Sequence, residues 1–289
     1  MSARSGDSRR RGDPWQRAGA VFLAVLIVFS LLPMAWMLLT SIKTQFAALQ
    51  FPPEWIPHNP TLANYIALLS PQADVGREFL RYMVNSLWVS FASTVLGVAV
   101  AVPAAYAFSR FRFPGRNLLF YGVLLRNMFP AVVFLMPLFI MMRWLGLVGT
   151  QSSLILTYLT FGLPLSIWLL KGFYDNIPVQ LEQAARIDGA SRFLAFLLIV
   201  MPLSSPGIIA TAIYSFILAW NEYVYALTFL NDQSRLTLPV GLQRFFTEYA
   251  TNWPGLMAAS FIMSVPVVAL FLVLQKYFVR ALTEGAVKS

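Results

Sequence analysis

A chain of 289 residues in which 58% are apolar and only 11% charged is no ordinary soluble domain, where roughly a quarter of residues carry charge; it reads as a membrane protein. The absence of cysteine excludes disulfides, thiolate chemistry and Cys-ligated metals, and the single histidine, His58, sits among prolines as a loop residue rather than a ligand or base. The net charge of +9 suits the basic flanks of membrane spans, which removes the need for nucleic acid as a partner.

Residues 1–17 carry Arg4, Arg9, Arg10, Arg11 and Arg17 and read as a basic tail lying against anionic headgroups. The charge-free run from Ala18 to Ile42 exceeds the core of a signal peptide, about 7–15 residues, and suffices to cross a bilayer. A first span is therefore expected at about 18–42. Residues 43–81 form a polar connection in which Pro52, Pro53, Pro57, Pro60 and Pro71 exclude a continuous helix. Leu62, Tyr65, Ile66, Leu68 and Leu69 leave room for one short amphipathic helix there. Further spans are expected at about 82–109, 117–142, 150–172, 206–230 and 255–277, followed by a tail over 278–289. Each span includes or borders a proline (Pro33, Pro103, Pro130, Pro137, Pro164, Pro206, Pro266), which is tolerated where neighbouring helices or a water-filled cavity satisfy the freed backbone groups.

Six crossings place both ends on one side. With the N-terminus inside, fourteen of the 21 lysines and arginines fall on inner segments, six on outer ones, and Arg126 within the membrane. That surplus predicts cytoplasmic termini.

Two polar intrusions stand at depth, Arg126-Asn127 in the third span and Trp220-Asn221-Glu222 in the fifth. A charge at the bilayer centre costs at least about 2.5–3.5 kcal/mol, so these side chains must face protein or water. They line a translocation path or join subunits; spacing leaves both readings open. Arg126 is expected to pair with Glu222. Tyr214, Tyr223 and Tyr225 read as packing residues.

Between the fourth and fifth spans lies a polar island from Asn176 to Ser191, followed by an apolar stretch to Pro202. It reads as two short helices about a glycine hinge, together a cytoplasmic hairpin over 176–202. Asn176 is placed to cap the first, Pro178 suits its first turn and Gly189 its left-handed end. Ser191 caps the second, which Pro202 interrupts. On the first helix Leu181, Ala184 and Ala185 make a small apolar face, and Glu182 and Arg186 are spaced to pair, at about 0.2–0.5 kcal/mol. Asp188 opposes the helix dipole, a broken local rule that points to a partner. A merely solvated hairpin is the alternative on spacing alone.

Glu182-Gln-Ala-Ala-Arg-Ile-Asp-Gly189, then nine residues, then Ile199-Val-Met-Pro202, resembles the "EAA" motif of permease subunits of bacterial ABC importers. Two positions depart from it: Gln183 stands where the motif's Glu usually falls, with Glu182 one place earlier, and Met201 replaces Leu. The resemblance implies that Glu182, Gln183, Ala184, Ala185, Arg186, Asp188 and Gly189 dock into a cleft on an ATP-hydrolysing subunit. The C-terminal Ala281-Leu-Thr-Glu-Gly-Ala-Val-Lys-Ser289 is similar to the tail of permeases that resemble the smaller maltose-importer permease, and it implies ATPase contacts for Gly285, Ala286, Val287 and Lys288. Trp220-Asn221-Glu222 and Leu238-Pro-Val-Gly-Leu242 also resemble that carbohydrate branch.

The resemblance implies an all-α, six-span fold of the type I ABC importer permease class in the bacterial cytoplasmic (inner) membrane. It implies a homologous permease partner, an ATPase dimer, an extracytoplasmic solute-binding protein and a sugar cargo. No catalytic residue, metal site or cofactor is expected on this chain; no Walker A pattern occurs, so ATP and Mg belong to the partner ATPase. Rival cargoes are glycerol phosphate, a polyol or a peptide. A secondary transporter would need intramembrane ionisable relays and internal repeats, which the sequence does not display.

Overall fold

A computed structural model describes residues 14–246 and 251–286. Fourteen α-helices account for about three quarters of them, and no strand occurs among the described residues beyond one isolated bridge between Phe246 and Thr251. Helix α1 (Pro14–Ser41) is followed by two short helices, α2 (Gln45–Leu49) and α3 (Ala63–Leu69). Helix α4 (Asp74–Arg110) then runs for 37 residues, about 55 Å at 1.5 Å per residue, longer than a hydrocarbon core of about 30 Å. It begins eight residues before the expected span, because its first turns carry Asp74, Arg77 and Glu78 into the aqueous layer, with Arg77 paired to Asp74.

The third span is not one rod. Helices α5 (Arg116–Leu125) and α6 (Leu135–Trp144), each extended by a 3-10 turn, meet at 105° around Phe129-Pro130. Proline has no N–H to continue the ladder and forces the preceding residue into the extended region, where Phe129 lies at φ −93°, ψ 137°. Pro33, Pro103, Pro164 and Pro266, by contrast, sit inside continuous helices.

Helix α7 (Gln151–Asn176) is the central column, with 56% of its apolar window buried. Helices α8 (Val179–Ile187) and α9 (Arg192–Ala195) form the island, and α9 continues through a π-helical turn, Phe196–Val200, into α10 (Met201–Leu203). The chain bends by 74° at Ser204 before α11 (Ser205–Trp220). Pro202 is thus absorbed within the first limb, and the break comes two residues later, where Pro206 suits the first turn of a new helix. The fifth span also ends earlier than the expected 230. It stops at Trp220, and α12 (Val224–Phe229) starts anew after three non-helical residues. Helix α13 (Leu238–Gly241) precedes α14 (Trp253–Ala286), which continues without a break through the stretch expected as a separate tail from 278.

Helices α4, α7 and α11 form the centre, and α1 and α14 pack on one another at its side. Four helices are long and apolar enough to cross a membrane, or six if each bent pair is one span. Side-chain bonds sort the connections into two ends. Ser109 at the end of α4 donates to Asp175 at the end of α7 at 2.6 Å. At the opposite end Asn85 donates to the carbonyls of Ser234 and Leu236, Arg235 to that of Gly149, and Gln45 to that of Thr251.

The approach of α11 to α7 depends on Gly207, where an added Cβ would stand 2.4 Å from the Phe173 ring. Gly207→Ala should therefore cost about 1–3 kcal/mol by overpacking, read as a lower thermal midpoint of the purified protein. A wild-type midpoint would show that the ring swings away freely.

Candidate functional site

At the end where α4 and α7 finish, three aromatic rings make the floor of the island. Tyr106, Tyr174 and Phe196 contact one another, with centroids 4.4–6.3 Å apart, inside a cluster that includes Ala101, Ala105, Leu170 and Val200. Helix α8 lies over this floor. Its Glu182 turns inward and is 6% exposed, although its neighbours in sequence are exposed. Arg110 Nε donates to Glu182 Oε1 at 2.6 Å and the Tyr106 hydroxyl donates to Oε2 at 2.6 Å, while Arg110 Nη2 donates to the Ile177 carbonyl at 2.8 Å. One buried arginine thus ties α4 to both ends of the short link between α7 and α8.

This replaces the expected Glu182–Arg186 pair. Arg186 is exposed and makes no ion pair among the described residues, because a largely buried partner 72 residues away outcompetes a solvated one four residues on. Asn176 is not the cap either. It closes α7, its side-chain amide donating to the Gly172 carbonyl, and Pro178 occupies the cap position of α8 without a side-chain bond. Gly189 does take the left-handed conformation, φ +94°, and Ser191 Oγ accepts from the Leu194 N–H at 3.2 Å.

With Glu182 turned in, the outer surface of α8 presents Leu181, Gln183, Ala184 and Ile187, with Ala185 half-buried at its margin. Ile187 is 87% exposed, a large cost for a β-branched apolar side chain unless another surface covers it. The sequence reading passed over Ile187, although the i, i+3, i+6 spacing of Leu181, Ala184 and Ile187 carried the signal. Asp188 is exposed at the C-cap. Gly285 and Ala286 close α14, and Val287 and Lys288 lie outside the described residues.

The second candidate is a polar band inside the bundle. Glu222 is clamped: it accepts from the Tyr158 hydroxyl at 2.7 Å and from the N–H groups of Tyr225 and Ala226 at 2.8 and 3.1 Å. From one residue before the N-cap, Tyr223, it therefore satisfies two of the first N–H groups of α12 and ties that helix to α7. The expected Arg126–Glu222 pair does not form. The Arg126 guanidinium stacks instead on Phe161, 3.6 Å from the ring centre, and lies 5.1 Å from that of Phe134. Such cation–π contacts contribute about 0.5–2 kcal/mol. Tyr158, Phe161 and Tyr225 have functional neighbours that sequence spacing alone did not reveal. Asn127 and Asn221 are exposed, Asn221 bonding back to the Ile217 carbonyl. Trp220 is 1% exposed, stacked on Phe216, with its indole N–H donating to the Met263 carbonyl at 3.1 Å. It joins α11 to α14 within this chain.

No group of three or more His, Asp or Glu suited to a metal occurs among the described residues. The helical pairs bend at Phe129-Pro130 and at Ser204, and a small exposed helix is bonded to one end of the bundle. The chain belongs to the family of binding-protein-dependent transport system inner membrane components, whose sequence profile matches residues 93–284. It is 38% identical over 265 residues to the sulfoquinovosyl glycerol transport system permease protein SmoH of Agrobacterium fabrum, covering 92% of this chain and 91% of that one. It is 37% identical over 271 residues to the trehalose/maltose transport system permease protein MalG of Thermococcus litoralis, covering 93% and 95%. A chain in the crystal structure of a bacterial ABC transporter that imports the acidic polysaccharide alginate shares the fold, with a TM-score of 0.78 over 96% of this chain and all of that one at 23% identity.

Proposed function

We propose that this chain is one of two permease subunits of an ATP-driven, binding-protein-dependent sugar importer in the bacterial cytoplasmic membrane. It crosses six times, the bent pairs α5–α6 and α9–α11 each counting once, with both termini and the island on the cytoplasmic side. The partners are a homologous permease, an ATPase dimer carrying ATP and Mg, and an extracytoplasmic solute-binding protein. The sugar permeases among its relatives, at 37–38% identity over almost the whole chain, support the cargo class.

The observation that carries the reading is the split of α8 into an inward Glu182 and an outward apolar face. A helix that transmits movement needs one side bonded to the moving bundle and another offered to the motor. Glu182, through Arg110 and Tyr106, supplies the first; Leu181, Gln183, Ala184, Ala185 and Ile187, flanked by Arg186 and Asp188, supply the second. ATP binding closes the ATPase dimer and carries α8 with it, and the bond to Arg110 passes that displacement to α4. Alternating access follows only if these contacts differ between the two states. At the other terminus, Gly285, Ala286, Val287 and Lys288 add a second contact with the ATPase.

The test is purification of the chain from its native membrane, with mass spectrometry of bound proteins and ATPase assays over candidate sugars. A Walker-motif ATPase, a second permease and a solute-binding protein should be recovered. Gly189→Pro and Ala185→Asp should leave the chain inserted but lose the ATPase: proline cannot adopt φ +94°, and an aspartate at 185 puts an unpaired charge at the edge of the apolar face. Normal co-purification and transport in both variants would remove the docking assignment.

A further inference from the structure

Arg126 is a charge deep in an apolar stretch that no carboxylate of the described residues answers. Helix α5 begins at Arg116 and has ten residues, so Arg126 stands about 15 Å along the axis from the charged end, near the middle of a core about 30 Å thick. Its Nε and Nη2 are buried and lack a hydrogen-bond partner, and Nη1 reaches only the side-chain oxygen of Asn127, at 3.2 Å. No carboxylate forms an ion pair with it among the described residues. Glu222 accepts instead from one hydroxyl and two backbone N–H groups, and the Tyr225 hydroxyl donates to the Ala131 carbonyl at 2.7 Å.

A guanidinium at this depth is satisfied by water, by carbonyls or by a counter-charge, and the described residues of this chain supply it no carboxylate. Phe161 and Phe134 hold it meanwhile by an attraction without directional bonds, so an arriving anion can draw it away and leave no group of the protein unpaired. Glu222 could not be released so cheaply. Beside the arginine the backbone is broken at Phe129-Pro130, and Asn127 is exposed, which fits a polar passage rather than lipid. We propose that Arg126 is a mid-membrane receptor for an oxyanion, and that this oxyanion is carried by the cargo: a sugar bearing a carboxylate, sulfonate or phosphate ester. The inference rests on the importer reading and narrows its substrate class. A carboxylate of the partner permease offers the same chemistry and is the competing source.

The experiment uses the assembled complex in lipid nanodiscs, with its thermal midpoint and ATPase rate measured against glucose, glucuronate, 6-deoxy-6-sulfoglucose and the glycerol glycoside of the last. The anionic sugars should raise the midpoint where glucose does not. Arg126→Gln should weaken the apparent affinity for them about tenfold to hundredfold, with Arg126→Lys between, as loss of a charged hydrogen bond predicts. Loss of the partner permease from the Arg126→Gln complex, reproduced by neutralising a partner carboxylate, would assign the oxyanion to the partner and overturn the cargo proposal. Equal responses to neutral and anionic sugars, or none to the anions, would also overturn it. Stimulation by a neutral sugar leaves the importer reading standing, whereas a chain that recruits no ATPase removes that reading first.

Discussion

Replacing Arg110 by alanine is expected to cost about 3–5 kcal/mol and to unfasten α8 from the bundle, because it leaves a buried carboxylate without its counter-charge. The side chains of Arg110 and Glu182 are 10% and 8% exposed, so neither can turn to water in place. Lysine should not rescue the site: its single ammonium cannot supply the separate donors that reach Glu182 and the Ile177 carbonyl. Glu182→Gln is milder in shape but leaves the guanidinium half-satisfied. Joint replacement, Arg110→Met with Glu182→Leu, should recover most of the stability, since a buried pair is often no better than packed hydrocarbon. It should not recover transport if the bond is what passes movement from α8 to α4. Thermal unfolding and sugar-stimulated ATPase of the same complexes separate the two effects. An Arg110→Ala protein that melts at the wild-type temperature and remains coupled would show that the pair fastens nothing.

The displaced glutamate of the EAA-like motif is explained by the same geometry. Gln183 takes the outward position where the motif carries its acid, and Glu182, one residue earlier and thus about 100° around the helix, points into the bundle. The acid bonds within the chain itself, and the outer face of α8 is left with an amide and the exposed Ile187.

What could be read in advance divides by range. Gly189 and Ser191 were legible because a left-handed turn and an N-cap depend on one or two residues, and the structure places both as local rules require. Hydropathy likewise found the apolar stretches, since a bilayer demands them of any sequence. Failures came where two local rules competed or where the partner was distant. Glu182 had an adequate neighbour at Arg186, and nothing in the intervening residues marks Arg110 as the better one. Pro130 and Pro164 look alike in sequence, yet one breaks a span by 105° and the other sits within a continuous helix, because surrounding packing decides whether the freed carbonyl is satisfied. Hydropathy carries the expected fifth span through to 230, whereas α11 stops at Trp220 and Glu222 bonds the first N–H groups of a new helix.

Glu222 is the second place where a single side chain holds elements together, and Glu222→Ala should destabilise the protein by about 3 kcal/mol or more, since three bonds to a charged acceptor are lost together. Gln should cost less, because it keeps an acceptor for the α12 N–H groups while weakening the bond from Tyr158. The informative measurement is a pair of double-mutant cycles. Glu222 with Tyr158→Phe should show coupling of about 1–3 kcal/mol, as directly bonded residues do, while Glu222 with Arg126→Gln should be additive within about 0.5 kcal/mol. The opposite result, strong coupling to Arg126 and none to Tyr158, would mean that the two charges meet in the membrane after all; Arg126 would then have its counter-ion within the chain and no need of one from a sugar. Additivity shows that Glu222 does not compensate the guanidinium, and the anion proposed at mid-membrane is then a ligand that stabilises the loaded state over the empty one.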